Sequence, residues 1–264
     1  MLEIHDHETS GGGVIRELRL ARPPVNALNG SLVARLRAEF AALGAAHDGA
    51  LDEVASRETI RAVVLSGQPG MFSAGLDVRE LAQATRDDVR TFLTDFVGLQ
   101  TLLAFSPIPV IAAITGHCPA GGTVLALFCD YRVMASGDYR IGLNEVQVGL
   151  YPGAAIHRAL QRLIGVRRAA HWLTTAALVD GATALQAGLV DELVSAPQVI
   201  AKALQHAREI LALPRIAYAR TRQLVRADLH AAFSGDPNTT VDEALEIFTS
   251  AETQTQMRAL LTKR

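Results

Sequence analysis

The chain has 264 residues, of which 49% are hydrophobic and 20% are charged, and its formal net charge is −2. This length allows one large domain, or one domain with an appendage, and the composition is too apolar for a disordered protein. The charge balance gives no indication of binding to nucleic acid or to an anionic membrane.

Short β-branched runs alternate with helical periodicity through the first two thirds of the chain. The pattern predicts strands at 14–20, 62–65, 110–114 and 131–135, with helices at 31–46, 87–105 and 120–128. Asn29 precedes the first helix and is a suitable capping residue. The polar stretch 48–59 is read as a loop or a helix extension. Alternating strands and helices predict an α/β fold with mostly parallel pairing.

The last 65 or so residues have a different pattern. Helical spacing without an intervening strand signal covers 197–211, 214–229 and 241–261. We therefore divide the chain into an α/β core, 1–196, and a C-terminal helical region, 197–264. The apolar stripes of these helices require cover from the core or from another subunit.

Two loops of small residues follow predicted strands and precede helical patterns, at 72–77 and 119–122. Such loops expose backbone N–H groups, and two of them in one sheet can surround a developing oxyanion. Each loop taken alone is also compatible with an ordinary tight turn.

An acid/base near such loops would have to be a carboxylate, and four are suitably placed along the chain: Asp77, Asp130, Asp138 and Glu145. Glu145 precedes the mostly apolar run 146–150, where desolvation would raise its pKa toward neutrality. The alternative for Glu145 is an ion-paired or helix-capping glutamate.

Several motifs occur in the order found in the crotonase, or enoyl-CoA hydratase/isomerase, superfamily, which the chain therefore resembles from about residue 14 to 195. They are Arg22-Pro-Pro-Val-Asn-Ala-Leu28, Phe72-Ser-Ala-Gly-Leu-Asp77, Ala113-Ile-Thr-Gly-His-Cys-Pro-Ala-Gly-Gly122, Cys129-Asp-Tyr-Arg132 and Ala187-Gly-Leu-Val-Asp191. Residues 118–122, 129–132 and 141–145 look most like the mitochondrial-type Δ3,Δ2-enoyl-CoA isomerases. The resemblance implies a spiral of β-β-α turns with a C-terminal helical region that assembles a homotrimer or a dimer of trimers.

The same resemblance implies roles for individual residues. The N–H groups of Leu76 and Gly121 would form the oxyanion hole, and Glu145 would be the catalytic acid/base. Contacts with the acyl-CoA substrate would come from Arg22, Pro24, Val25, Ala27, Ala74, Gly75, Leu76, Asp77, Val78 and Asn144. The coenzyme A is part of the substrate, and neither a separate cofactor nor a metal is implied.

Position 124 decides which reaction is expected. Hydratases of this superfamily carry a second glutamate three residues after the position of Gly121, where this chain has Val124. Valine cannot transfer a proton, whereas one carboxylate suffices to move a proton from C2 to C4. The expected activity is therefore isomerisation of 3-enoyl-CoA to 2-enoyl-CoA in fatty acid β-oxidation. Tyr151 and His157 remain further candidates for contact with the acyl chain or for a second acid/base.

Two groups of alternatives stay open. One is another acyl-CoA enzyme of the superfamily, a hydratase or a thioester hydrolase. The other is a non-catalytic, RNA-binding member of the fold that would use the arginines at 158, 162, 167 and 168.

The amino terminus has no pattern of a signal or transit peptide, and no stretch has about 18 uninterrupted apolar residues. Cys118 and Cys129 lie in apolar surroundings without metal-ligand spacing, and we expect both to be buried free thiols. A reducing cytoplasm is the expected setting, with no membrane span.

Overall fold

A computed structural model of the protein describes residues 1–47 and 59–262, so most of the polar stretch 48–59 lies outside the described residues. Ten strands are formed: β1 Leu2–Glu8, β2 Val14–Leu20, β3 Ile60–Ser66, β4 Gly70–Met71, β5 Val110–Ile114, β6 Gly116–Pro119, β7 Tyr131–Ala135, β8 Arg140–Gly142, β9 Leu178–Asp180 and β10 Glu192–Val194. The helices in the same residues are α1 Gly30–His47, α2 Val78–Leu81, α3 Arg86–Ala104, α4 Gly121–Leu127, α5 Ala154–Ile164, α6 Val166–Thr174, α7 Gly181–Ala187, α8 Val199–Leu211, α9 Arg215–Val225, α10 Ala227–Ala231, α11 Pro237–Thr249 and α12 Ala251–Thr262.

The strands form two sheets. The larger has the order β1-β2-β3-β5-β7-β10, and every pair in it is parallel except β1 with β2. The smaller has the order β4-β6-β8-β9, with only β8 and β9 antiparallel. The predicted α/β fold with mostly parallel pairing is therefore confirmed.

The larger sheet is covered on both faces. Val63 and Leu65 of β3 join the main core, while Ala62 and Val64 face the other way into a second cluster with α8. All four side chains are fully buried. Burial on both faces explains why the parallel strands read as continuous apolar runs rather than as alternating ones.

The four strands predicted from the sequence are all present, and the three predicted helices of the core differ from α1, α3 and α4 by one residue at either end. Asn29 caps α1 as expected, since its side-chain oxygen accepts a hydrogen bond from the Leu32 N–H at 3.0 Å. The helical spacing at 241–261 corresponds to two helices, because the extended backbone of Ser250 (ψ 149°) separates α11 from α12. The helix predicted at 214–229 is likewise divided, into α9 and α10.

The C-terminal helical region packs back onto the core of the same chain. Helix α8 lies on the larger sheet, α11 on α3, and α12 on the 3₁₀ turn that begins at Glu145. Asp130, one of the four carboxylates considered above, is held by Arg222 and Arg226 at 2.8 Å each and thereby ties this region to the core.

One part of the region keeps its apolar side chains exposed. Leu213, Ile216, Leu224 and Val225 on and beside α9 are all more than half exposed. The trimeric assembly implied by the family stays a prediction. Within the part of the chain that the structure describes, every helix is too short or too polar to cross a bilayer.

Candidate active site

Three parallel strands of the smaller sheet end beside one another, and each leads into a segment singled out from the sequence. Leu76 follows the end of β4, Gly121 follows β6, and Glu145 follows β8. Pairing of β4 with β6 and of β6 with β8 places the three carboxyl ends at the same edge of the sheet. In parallel sheets this edge is where ligands are bound.

The two glycine-containing loops are in direct contact. A Cβ atom placed on Gly75 would lie 2.8 Å from the Ala120 Cβ and 3.0 Å from the Gly121 nitrogen. Gly75 has φ +88°, which an L-residue rarely adopts. Glycine at this position therefore permits both the backbone conformation and the close approach of the loops.

Both predicted donors are free to bind a ligand. Within residues 1–47 and 59–262, neither the Leu76 N–H nor the Gly121 N–H donates to a protein acceptor. Leu28 explains the orientation at Leu76, because its own N–H bonds Gly75 O at 2.8 Å and its carbonyl accepts from the Asp77 N–H at 2.9 Å. Leu28 therefore pairs with Gly75 and Asp77 in a parallel bridge. The N–H of Leu76, which lies between these two residues, points to the opposite side.

The backbone just before the second donor, Gly121, is strained. Ala120 has φ +48° and ψ −124°. Such a conformation costs about 1–3 kcal/mol and persists where the surroundings impose it, often at functional sites. Here it turns the chain from β6 into α4, whose first residue is Gly121.

Asn26 joins the motif at 22–28 to the first donor loop, a role that the sequence analysis did not identify. Its fully buried amide donates to the carbonyls of Met71 and Phe72, and its side-chain oxygen accepts from the Arg22 N–H at 2.8 Å. Ser73 Oγ donates to the Asn26 carbonyl at 2.8 Å. These bonds fix the donor loop against the segment predicted to contact coenzyme A.

Glu145 begins a 3₁₀ turn, Glu145–Val148, and its carboxylate is not ion-paired. Its Oε2 atom is buried and has no hydrogen-bond partner among the described residues. Desolvation raises the pKa of Glu145 to about 7. The alternative of an ion-paired glutamate is thereby excluded for the described residues, and the group is suited to accept and return a proton near neutrality.

The other carboxylates considered from the sequence lack this combination. Asp130 is ion-paired with two arginines, and Asp138 is largely exposed and pairs with Arg140 at 3.0 Å. Asp77 pairs with Arg22 at 2.7 Å and caps α2 through the Glu80 N–H. Glu145 is the member of the set that has a buried carboxylate oxygen and no ion-pair partner among the described residues.

A cavity of about 110 Å³ brings the predicted groups together. Its walls include both donor residues, Leu76 and Gly121, together with Glu145 and Val124. Val124 is 1% exposed, so the position of the hydratase glutamate is a buried apolar wall.

Apart from Tyr151, the rest of the cavity wall was not anticipated from the sequence. It comes from α3, from residues 150–156 and from α11 of the C-terminal region, with Glu243 of α11 among them. Tyr151 lies in the wall as well, whereas His157 does not line either this cavity or the adjoining groove. The spacing of α3 shows that one of its faces is apolar but cannot show that a cavity lies beside it.

A second, open groove of about 600 Å³ adjoins the cavity at Leu76, which lines both. Eight of the ten predicted acyl-CoA contacts line this groove: Arg22, Pro24, Val25, Ala27, Ala74, Leu76, Asp77 and Val78. Gly75 and Asn144 do not line it. Gly75 instead supports the Gly121 loop, and Asn144 lies beside Glu145 with its Oδ1 buried and unpartnered among the described residues.

Arg22 is not a free phosphate ligand in this structure. Its guanidinium binds the Asp77 carboxylate at 2.7 Å and donates to the Ala27 carbonyl at 3.2 Å. A phosphate of coenzyme A would therefore have to compete with Asp77 for this side chain.

The two cysteines are buried and free, as predicted. Burial raises the pKa of both thiols, to about 12 for Cys129. Neither residue lines the cavity or the groove.

Comparison with known proteins agrees with this geometry. The family model "Enoyl-CoA hydratase/isomerase" matches residues 10–264. The chain belongs to the enoyl-CoA hydratase/isomerase family. This confirms the family and the fold class predicted from the motifs.

Individual members of the enoyl-CoA hydratase/isomerase family that resemble the chain carry two kinds of name. "Enoyl-CoA delta isomerase 1, mitochondrial" of Homo sapiens is 32% identical over 245 residues, 92% of this chain and 76% of that protein. "Probable enoyl-CoA hydratase" of Rhizobium meliloti (strain 1021) is 30% identical over 218 residues, 82% of this chain and 79% of that protein. The crystal structure of human mitochondrial Δ3,Δ2-enoyl-CoA isomerase superposes with a TM-score of 0.86 at 28% identity, over 98% of this chain and 96% of that one. The family is therefore shown, while both reactions occur among the names of its relatives.

Proposed function

We propose that the protein is a 3-enoyl-CoA to 2-enoyl-CoA isomerase in which Glu145 carries the proton. The observation that supports this most strongly is a buried, unpaired carboxylate in the same cavity as two free N–H donors and Val124. One base and two donors are sufficient for this reaction, and the cavity wall offers no carboxylate at position 124.

The reaction proceeds in two proton transfers. The thioester oxygen accepts hydrogen bonds from the N–H groups of Leu76 and Gly121, which acidifies the C2–H bond and stabilises the enolate. Ionised Glu145 removes the C2 proton, and the electron pair spreads over the oxygen, C2 and C4 as a dienolate. Protonated Glu145 then delivers the same proton to C4, which leaves a double bond between C2 and C3 and restores the carboxylate.

The apolar wall protects the intermediate. Val124 and the neighbouring side chains exclude water that would otherwise add to the conjugated product or exchange the proton. Nothing on this wall activates a water molecule.

The first test compares two substrates on the wild-type protein. We expect kcat/KM for the double-bond shift of a 3-enoyl-CoA to exceed that for hydration of the matching 2-enoyl-CoA by at least about 100-fold, since hydration lacks a second positioned acid/base. Conversion is followed by chromatography of both thioesters. Faster water addition than isomerisation would assign the protein to the hydratases.

One observation favours hydration as a second candidate function. Glu243 of α11 lines the same cavity as Glu145, so a second carboxylate is present although position 124 is valine. Glu243 is exposed, unlike Glu145, and this places it at the solvent side of the cavity.

Glu243→Gln distinguishes these two functions. We expect a change of less than about threefold in kcat for isomerisation, because the removal of a proton shuttle lowers rates by 10²–10⁴ and Glu243 does not have this role. Steady-state assays of the variant on 3-enoyl-CoA and 2-enoyl-CoA provide the measurement. A loss of more than about 30-fold in either reaction would make Glu243 part of the machinery and favour a two-carboxylate mechanism.

The pH dependence follows from the raised pKa of Glu145. The base must be ionised to remove the C2 proton, so kcat/KM should rise with pH and reach half its maximum near pH 7. The profile is measured from pH 5 to 9 with a 3-enoyl-CoA. A profile that is already level above about pH 5.5, as for a glutamate with its ordinary pKa of 4.5, would show that the reacting base is not a desolvated carboxylate.

A further inference from the structure

Helix α3 contributes one continuous face to the acyl cavity. Leu93, Phe96, Val97 and Gln100 line it, at the spacing that places residues on one side of a helix. The first three are hydrocarbon side chains, and the fourth is an amide.

Gln100 is buried without a partner. The residue is 5% exposed and lines the cavity, and its side chain forms no hydrogen bond among the described residues. A primary amide offers two donors and two acceptor sites, and here they are accessible from the cavity. The arrangement indicates that a molecule in the cavity supplies the missing bonds.

On the α3 wall, a bound water would find few polar partners besides Gln100. A buried water needs two to four polar partners. The neighbours of Gln100 on the α3 wall, Leu93, Phe96 and Val97, provide none. The polar side chains Thr240 and Glu243 of α11 are exposed and therefore lie toward solvent.

The volume of the cavity suits a short acyl chain. A dry cavity of about 150 Å³ binds benzene, so the 110 Å³ present here has room for about four or five carbons. The same walls contain the Leu76 and Gly121 donors, so the thioester carbon lies within this space.

We propose that the cavity selects a short acyl chain that carries a carbonyl or hydroxyl group, with Gln100 as the hydrogen-bond partner of that group. The inference rests on the proposed function only in assuming that this cavity holds the acyl part of an acyl-CoA. Gln100 is then a specificity-determining residue, separate from the proton shuttle.

The test measures binding rather than turnover. Saturated acyl-CoAs cannot isomerise, so pentanoyl-CoA, 4-oxopentanoyl-CoA and decanoyl-CoA are titrated calorimetrically into wild-type protein and Gln100→Leu. We expect the wild type to bind 4-oxopentanoyl-CoA at least about tenfold more tightly than pentanoyl-CoA, and both more tightly than decanoyl-CoA. In Gln100→Leu the preference for the oxo compound should fall below about twofold, with pentanoyl-CoA bound as tightly as before.

Two further variants keep the result interpretable. Gln100→Met retains the length of the side chain without its amide and should lose the preference in the same way, even if leucine disturbs packing. Thr101→Val, a neighbour on α3 outside the cavity wall, should keep the wild-type preference.

The possible failures are distinguishable. Equal or weaker binding of 4-oxopentanoyl-CoA by the wild type, or an unchanged preference in both Gln100 variants, would overturn the role of Gln100. Decanoyl-CoA bound as tightly as pentanoyl-CoA would overturn the short chain. If none of the three compounds binds better than free coenzyme A, the cavity is not an acyl site, and the proposed function fails as well. If they bind but the protein does not isomerise a 3-enoyl-CoA, only the proposed reaction is contradicted.

Discussion

Glu145→Gln is expected to lower kcat on a 3-enoyl-CoA by about 10²–10⁴-fold, the range for loss of a general base. Glutamine has the same shape and still fits beside the cavity, but it cannot accept the C2 proton. Single-turnover assays measure the chemical step directly. Retention of more than about a tenth of the wild-type rate would remove Glu145 from the mechanism.

The stability of the same variant provides its control. Burial raises the pKa of Glu145 from 4.5 to about 7, so the folded protein binds more protons than the unfolded chain between these pH values. The carboxylate therefore weakens the fold progressively as the pH rises from 4.5 to 7. Because glutamine does not ionise, the variant should be about 1–2 kcal/mol more stable than wild type at pH 8 and nearly equal to it below pH 5. A variant that is inactive and also less stable at pH 8 would point to misfolding instead.

Gly75→Ala is expected to reduce kcat/KM by about 10²-fold, comparable to the loss of one oxyanion donor. The new methyl group would lie 2.8 Å from the Ala120 Cβ and 3.0 Å from the Gly121 nitrogen, so the two donor loops must separate. Separation of the loops moves at least one N–H group away from the thioester oxygen. The effect should appear in kcat rather than in binding of a saturated acyl-CoA.

Gly165→Ala is the matched control for this substitution. Gly165 has φ +81°, close to the +88° of Gly75, but no atom lies within 4 Å of the position its Cβ would occupy. With ψ 157°, Gly165 lies in a region that is essentially confined to glycine, so alanine there costs on the order of 1–3 kcal/mol of strain. The control should therefore lose stability but keep activity. Equal activity in the two variants would contradict the proposed contact between the loops.

The sequence was sufficient to predict the position of the strands that are long and strongly apolar. Strands β2, β5 and β7 begin and end where predicted, because runs such as Val110–Ile114 are buried on both faces. Strand β1 was missed because five of its seven residues are polar or charged and it lies at the edge of the sheet. Strands β4, β8, β9 and β10 have two or three residues each, too few to give a periodic pattern.

The candidate site was predictable where local sequence dictates geometry. Gly75 and Gly121 mark places where backbone must approach backbone. The run after Glu145 does not by itself account for the burial of the carboxylate, since Val146 is 51% exposed. The other wall was not predictable, because Gln100 and Glu243 reach the cavity only through the packing of α11 against α3. That contact joins residues about 140 positions apart, and no local signal specifies it.

Arg22 illustrates what a family motif cannot predict about a residue's role. Its position beside the groove follows from the sequence, but the 2.7 Å ion pair with Asp77 does not. Both residues were predicted to contact the substrate, and in the structure they bind each other.

The most direct test of the proposed proton path is a crystal structure with a saturated acyl-CoA bound. We predict the thioester oxygen within about 3.1 Å of the Leu76 and Gly121 nitrogens, at hydrogen-bond distance. A Glu145 carboxylate oxygen should lie about 3–3.5 Å from both C2 and C4, as expected for reacting atoms. A complex in which Glu145 turns away to an arginine, or in which Glu243 is the carboxylate nearest to C2, would contradict the account.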